Sequence, residues 1–234
     1  MTFAARLKRL RGSLADSAGT IVFGMEDGTV SIFGLIFGVA ATTTDARTVL
    51  IAGASGAVAA AVSMMAGVFL DVETTRDESK TKRAALQSSL AADPAAIAAA
   101  LPGQLAAAGL TASQSAALTG AVLHDRAALD GLLLALHGSP EAPPNPWEQA
   151  LWMLIADFAA AAVPIVPFVF LPVAQARAVS AAVTIALLIG LGIGRARIAG
   201  GKVARTVVET VSVGIAAALA GVAISVGIDR FFTG

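Results

Sequence analysis

The sequence predicts an all-α integral membrane protein, with five transmembrane helices and a cytoplasmic helical insert between the second and third. Three observations lead there. Of 234 residues, 56% are hydrophobic and 14% charged, with a mean hydropathy of +0.79, whereas an ordinary soluble domain is about 25% charged. Apolar stretches long enough to cross a bilayer as a helix, roughly 20 residues, recur at about 20–43, 48–70, 148–171, 174–194 and 206–228. Lysine and arginine also alternate across these stretches. One side holds Arg6, Lys8, Arg9 and Arg11, then Arg76, Lys80, Lys82, Arg83 and Arg126, then Arg195, Arg197, Lys202 and Arg205; the other holds Arg47, Arg177 and Arg230. Thirteen against three puts the N-terminus and the insert in the cytoplasm and the C-terminus outside, by the positive-inside rule.

The chain therefore divides into 1–72, a flank and spans one and two; 73–146, a cytoplasmic helical domain; and 147–234, spans three to five. The basic flank lacks an apolar core followed by a small-residue cleavage site, so no cleaved signal peptide is expected. Span two has no Gly or Pro to stop it and is expected to continue through DVETTRDESKTKRAALQSSL. Asp93-Pro94 then offers an N-cap and a first-turn proline, and Gly109 marks the end of that helix. Thr111 with Gln114 forms a capping box for a helix to about His124. Asp125 caps a last helix to Leu136, closed by His137-Gly138, and Ser139–Pro146 is a proline-rich link back to the membrane.

Small residues recur at helical spacing in span one (Gly24, Gly28, Ser31, Gly34, Gly38), span two (Gly53, Gly56, Ala60, Ser63, Gly67) and span five (Gly214, Ala218, Gly221, Ser225). In lipid such stripes let helix backbones approach closely. Against this background the intramembrane acids stand out, because a charge at a helix centre costs roughly 2.5–3.5 kcal/mol on insertion scales and marks ion or proton paths. Glu26 reads either as a cap at the cytoplasmic interface or as a ligand. Asp27, beside the glycine stripe and in line with Ser31 and Gly34, reads as functional. Asp157 is either a buried hydrogen-bonding group or a proton-coupling one, and the nearby Pro164 and Pro167 free carbonyls that need partners. Met64 and Asp71, seven apart on span two, share a face; a thioether with a carboxylate suits a transition metal better than magnesium or calcium. Glu209 is positioned to pair with Arg205 four residues earlier.

Other chemistries are excluded or unsupported. With no cysteine there are no disulfides and no thiolate chemistry. The formal net charge is zero, so no nucleic-acid partner is expected. No HExxH, P-loop, GxSxG or paired CxxC occurs, and no enzyme is expected. His124 and His137, thirteen apart, match no ligand spacing and read as helix-end residues.

Several of these motifs together resemble one family. Glu26-Asp27-Gly28 and the glycine-rich span after it look like the first helix of the vacuolar iron transporter family. Val62-Ser63-Met64-Met65-Ala66-Gly67 followed by Thr75-Arg76-Asp77 resembles its second helix, Asn145-Pro146-Trp147 and Pro164-Ile165-Val166-Pro167 its third, and Gly194-Arg195-Ala196-Arg197 with Glu209 its last two. The resemblance implies a homodimer in the lipid bilayer that exports Fe²⁺ or Mn²⁺ from the cytoplasm in exchange for protons, with no permanently bound cofactor. It also implies a metal-binding cytoplasmic domain. Asp27 and Met64 correspond to the family's transport ligands. Glu26, Asp71 and Glu73 are expected as further metal contacts at the cytoplasmic entrance, Asp77 and Glu78 as a cytoplasmic relay, and Asp27 or Asp157 as the proton-coupling group. The chain departs from the family at Ala60, where iron-transporting members have Glu, at Val68-Phe69, and in residues 84–124, where Asp93 is the one acid. A membrane scaffold that has lost the iron relay, or transport of a different substrate centred on Asp157, thus stays open. Alanine richness points to a bacterial inner membrane.

Overall fold

The computed structural model describes residues 3–136 and 145–233; His137-Gly138, Glu141 and most of the proline-rich link lie outside them. The described residues are helical, without strands. In chain order the helices are α1 (Phe3–Asp16), α2 (Ala18–Thr42), α3 (Ala46–Ala92), α4 (Pro94–Ala107), α5 (Ala112–Val122), α6 (Arg126–Leu136), α7 (Pro146–Ile165), α8 (Pro167–Phe170), α9 (Val173–Ala199) and α10 (Val203–Thr233). Five of them, α2, α3, α7, α9 and α10, are long and apolar enough to cross a membrane. The chain forms two compact units, residues 1–70 with 145–234, and residues 71–144.

In the first unit α2 is the central helix, and its close contacts set the register of the others. Gly24 lies against Met153 and Ala156 of α7, and Gly28 against Asp157, so α2 and α7 run in the same direction. Gly34 lies against Ala217 of α10 and Gly38 against Gly221 and Ser225, so α10 also runs with α2. The remaining two oppose it. On α3, Gly53 meets Ile36 and Gly56 meets Ile32 and Leu35. On α9, Leu188 meets Gly214 and Gly192 meets Val207 of α10. Consecutive spans therefore alternate direction, and within this unit the start of α2, the end of α9 and the start of α10 fall at one end. The close approaches explain the small residues, because packing contact rather than apolarity draws helices together in lipid. Around the middle of the unit Ile32, Ile36, Val49, Ala57, Ala161, Phe168, Val173 and Ala176 form one buried cluster.

Several helix ends sit where local chemistry predicts. Asp45 accepts hydrogen bonds from the backbone N–H groups of Arg47 and Thr48 and from the Thr48 hydroxyl, opening α3. Asn145 caps α7 through the Trp147 N–H. Other ends differ from the sequence reading. Span three is broken: α7 stops at Ile165 and α8 starts at Pro167, since Pro167 has no N–H to continue the ladder. Span four runs to Ala199, past the expected Gly194, and stops at Gly200, whose φ of 65° is left-handed. Arg195 and Arg197 are therefore helical, and the turn to α10 shrinks to 200–202.

α3 continues through residue 92 as one helix of 47 residues, about 70 Å long at about 1.5 Å per residue and more than twice the roughly 30 Å of a bilayer core. In the second unit Asp93 caps α4 through the Ala96 N–H, and Thr111 with Gln114 makes both bonds of a capping box at α5. Asp125 accepts from the N–H groups of Ala127 and Ala128 to start α6. α5 ends at Val122, two residues short of His124. Leu101, Leu105, Val122, Leu129 and Leu133 close a small core among α4, α5 and α6.

Candidate functional site: intramembrane carboxylates around α2

Glu26 and Asp27 leave α2 in different directions because successive helical residues are about 100° apart. Glu26 turns toward α9 and α10. Arg195 Nη1 donates to its Oε2 at 3.3 Å and Thr210 Oγ1 donates to its Oε1 at 3.1 Å. The Glu26 side chain is 12% exposed and that of Arg195 50%. Asp27 is half-buried. The two acids share a cavity of about 270 Å³ lined also by Phe23, Val30, Arg195, Glu209, Thr210 and Val213. Glu209 is held by Arg205 Nε at 2.8 Å, the local pairing its spacing predicted. Each lining glutamate thus has its own arginine, and Asp27 has none among the described residues.

Asp27 lies on a second feature as well. Phe23, Asp27, Ser31 and Leu35 follow each other at steps of four along α2, and all but Asp27 are exposed. Leu35 touches Gly56 of α3, and Phe23 and Asp27 border the cavity beside α9 and α10, but Phe23, Ser31 and Leu35 stay exposed among the described residues.

Asp157 lies on the neighbouring face of α2, about 100° round the helix from Asp27. It is 0% exposed, packed against Gly28, and neither carboxylate oxygen has a hydrogen-bond partner among the described residues. A buried carboxyl without partners is expensive to ionise. One level further along α7, the Pro164 carbonyl takes a hydrogen bond from Ser180 Oγ at 2.8 Å, satisfying the helix end that the proline break leaves open.

Met64 is half-buried on α3. Gly56 lies beside Ile32 and Leu35, and the two helices are antiparallel. Two turns further along α3, Met64 therefore comes to the depth of the α2 turn carrying Glu26 and Asp27. Ala60, one turn before Met64, offers no ligand atom.

The remaining acids of the sequence reading lie on the part of α3 that belongs to the second unit. Asp71 is exposed. Glu73 is 3.7 Å from Arg76, Asp77 is 2.8 Å from Lys80, and Glu78 is 3.9 Å from Lys82. These are ion pairs within one helix surface, individually weak, and they do not converge. Among the described residues no three His, Asp or Glu are grouped to hold a metal ion within one chain.

The partners of Glu26 escaped the sequence reading. The apolar run ends at Gly194, which by itself leaves Arg195 outside span four. The available signal is the stretch 195–199, which has no Gly or Pro before Gly200.

Acids buried among apolar spans mark ion or proton paths. The model of the VIT family matches residues 18–226, and the chain belongs to that family, the vacuolar iron transporters. A comparison with curated proteins found no match.

Proposed function

We propose that the protein exports a divalent transition metal, Fe²⁺ or Mn²⁺, from the cytoplasm in exchange for protons, and does so as a homodimer. The observation that supports this reading is Asp27, a half-buried acid inside a span, without a counter-ion among the described residues and on a partly exposed strip of α2. An acid facing lipid is costly. A second copy packed on the same strip removes the cost and brings two Asp27 carboxylates together about a twofold axis. Met64 at the same depth adds a thioether from each copy, a donor set that favours transition metals over magnesium. One chain then supplies half a site, in keeping with the lack of a three-ligand group among its described residues. Asp71, Glu73, Asp77 and Glu78 serve the cytoplasmic approach, and Asp157 takes the counter-proton. Lysine and arginine at one end of the bundle favour a cytoplasmic N-terminus in a bacterial inner membrane.

The test is flux of Fe²⁺ or Mn²⁺ into proteoliposomes under a pH gradient. Asp27→Asn and Met64→Ala are each expected to abolish flux; undiminished flux in both overturns the site. Ala60 and the locally paired acids of α3 favour a second reading, a scaffold that has kept the fold and lost the metal. Purified protein that retains none of Fe, Mn, Co, Ni or Zn at micromolar concentrations decides for it.

A further inference from the structure

We propose that Arg195 is a tethered cation that competes with the transported metal for Glu26, and so sets how tightly the ion is held and how readily it leaves. This rests on the reading of the chain as a divalent-metal transporter.

Three observations carry it. Glu26 is nearly buried, and its two oxygens are engaged separately, one by the Arg195 guanidinium and one by the Thr210 hydroxyl. A metal approaching Asp27 therefore meets a neighbouring carboxylate that is already neutralised. Arg195 itself is half-exposed and joined to Glu26 by a single 3.3 Å contact rather than a two-pronged one, so it can be displaced. It also has somewhere to go. A second cavity, about 380 Å³ and lined by Gly19, Val22, Ile198 and Ala199, shares Phe23, Glu26 and Arg195 with the first.

The physical role follows from tethering. A group on the same framework acts at an effective concentration in the millimolar range, well above free metal, and it costs no translational freedom to return. With Arg195 on Glu26, the cavity offers one free carboxylate, Asp27. When a divalent ion draws Glu26 into its shell, the guanidinium moves to the adjoining cavity. When the guanidinium returns, it removes that ligand and favours release. No covalent bond or proton transfer is involved, only exchange of one cation for another on Glu26.

The experiment measures Mn²⁺ affinity and turnover separately, by equilibrium binding to the purified dimer and by flux in proteoliposomes. Arg195→Gln is expected to tighten Mn²⁺ binding by about 5–150-fold, the range of ordinary site coupling, and to slow turnover. Arg195→Lys, which keeps a tethered cation, restores values near wild type. Arg197→Gln removes the same charge two residues away, from an exposed position, and is expected to leave affinity unchanged; Glu26→Gln added to Arg195→Gln erases the gain. Tightening by Arg195→Gln even where the wild type binds no Mn²⁺ supports the proposal in its strongest form. Unchanged or weaker binding in Arg195→Gln, with wild-type binding intact, overturns it and leaves the transport reading standing. Equal tightening by Arg197→Gln also overturns it, since general charge removal would then suffice. Absence of Mn²⁺ and Fe²⁺ binding in every variant overturns both readings together.

Discussion

Replacing Gly221 with alanine tests the packing that holds the central helix. A methyl group at Gly221 would overlap the backbone carbonyl of Gly34, while one at Gly190 on α9 would meet nothing within 4 Å. Both sites are helix interiors, so both substitutions gain the same intrinsic preference for alanine, about 0.8–1.0 kcal/mol. That gain cancels in the comparison. What is left at Gly221 is overpacking against a backbone atom, which cannot rotate away as a side chain does; such overpacking costs about 1–3 kcal/mol. For a chain of this size each kcal/mol moves the melting point by about 2–4 °C, so Gly221→Ala is expected to melt about 2–12 °C below Gly190→Ala by the same conversion. The assay is apparent melting at a fixed scan rate in one detergent, followed through Trp147 and Trp152. If Gly221→Ala melts at or above Gly190→Ala, the contact between α2 and α10 is not the close crossing described here.

Other perturbations act at single contacts. Arg195→Gln leaves a nearly buried carboxylate without its counter-ion, whereas Glu26→Gln leaves a half-exposed guanidinium that water can serve. The first is expected to lower melting more, between the about 0.2–1 kcal/mol of an exposed pair and the about 3–5 kcal/mol of a buried one broken from one side, and the double variant to recover part of the loss. Asp45 has its carboxyl held below the usual aspartate range, first by the Thr48 hydroxyl and then by the N–H groups of Arg47 and Thr48. A lowered value means the cap is fully present above the ordinary aspartate value of about 3.9 and is lost as pH falls through the folded value beneath it. Amide exchange at Arg47 and Thr48, corrected for intrinsic rate, should then stay constant from neutrality to about pH 5 and accelerate only below about pH 4. Thr111→Ala removes one half of the capping box and is expected to cost about 0.5–2 kcal/mol, seen as faster exchange at residues 112–115 in the full chain.

What the sequence by itself determined lies wherever the physics is local or imposed by the solvent. The bilayer demands a long apolar run, and five spans follow from that demand alone. Asp93, Thr111 with Gln114, and Asp125 act within three residues of themselves, so their caps were legible; so was Glu209 on Arg205, one turn away. The family motifs carried the membership later matched over residues 18–226.

Tertiary structure decided what depends on register between helices far apart in the chain. That Glu26 belongs to Arg195 and Thr210, at separations of 169 and 184 residues, required α9 to run past Gly194 and lie antiparallel to α2. Asp157 was visible as an intramembrane acid. That it has no hydrogen-bond partner among the described residues, packed against the α2 backbone at Gly28, is a matter of tertiary structure. The neighbours Glu26 and Asp27 look alike in sequence because they have the same charge, and they differ in the fold because a helix turns about 100° between them. One turns into an arginine; the other remains open at the edge of a strip that a second chain can cover.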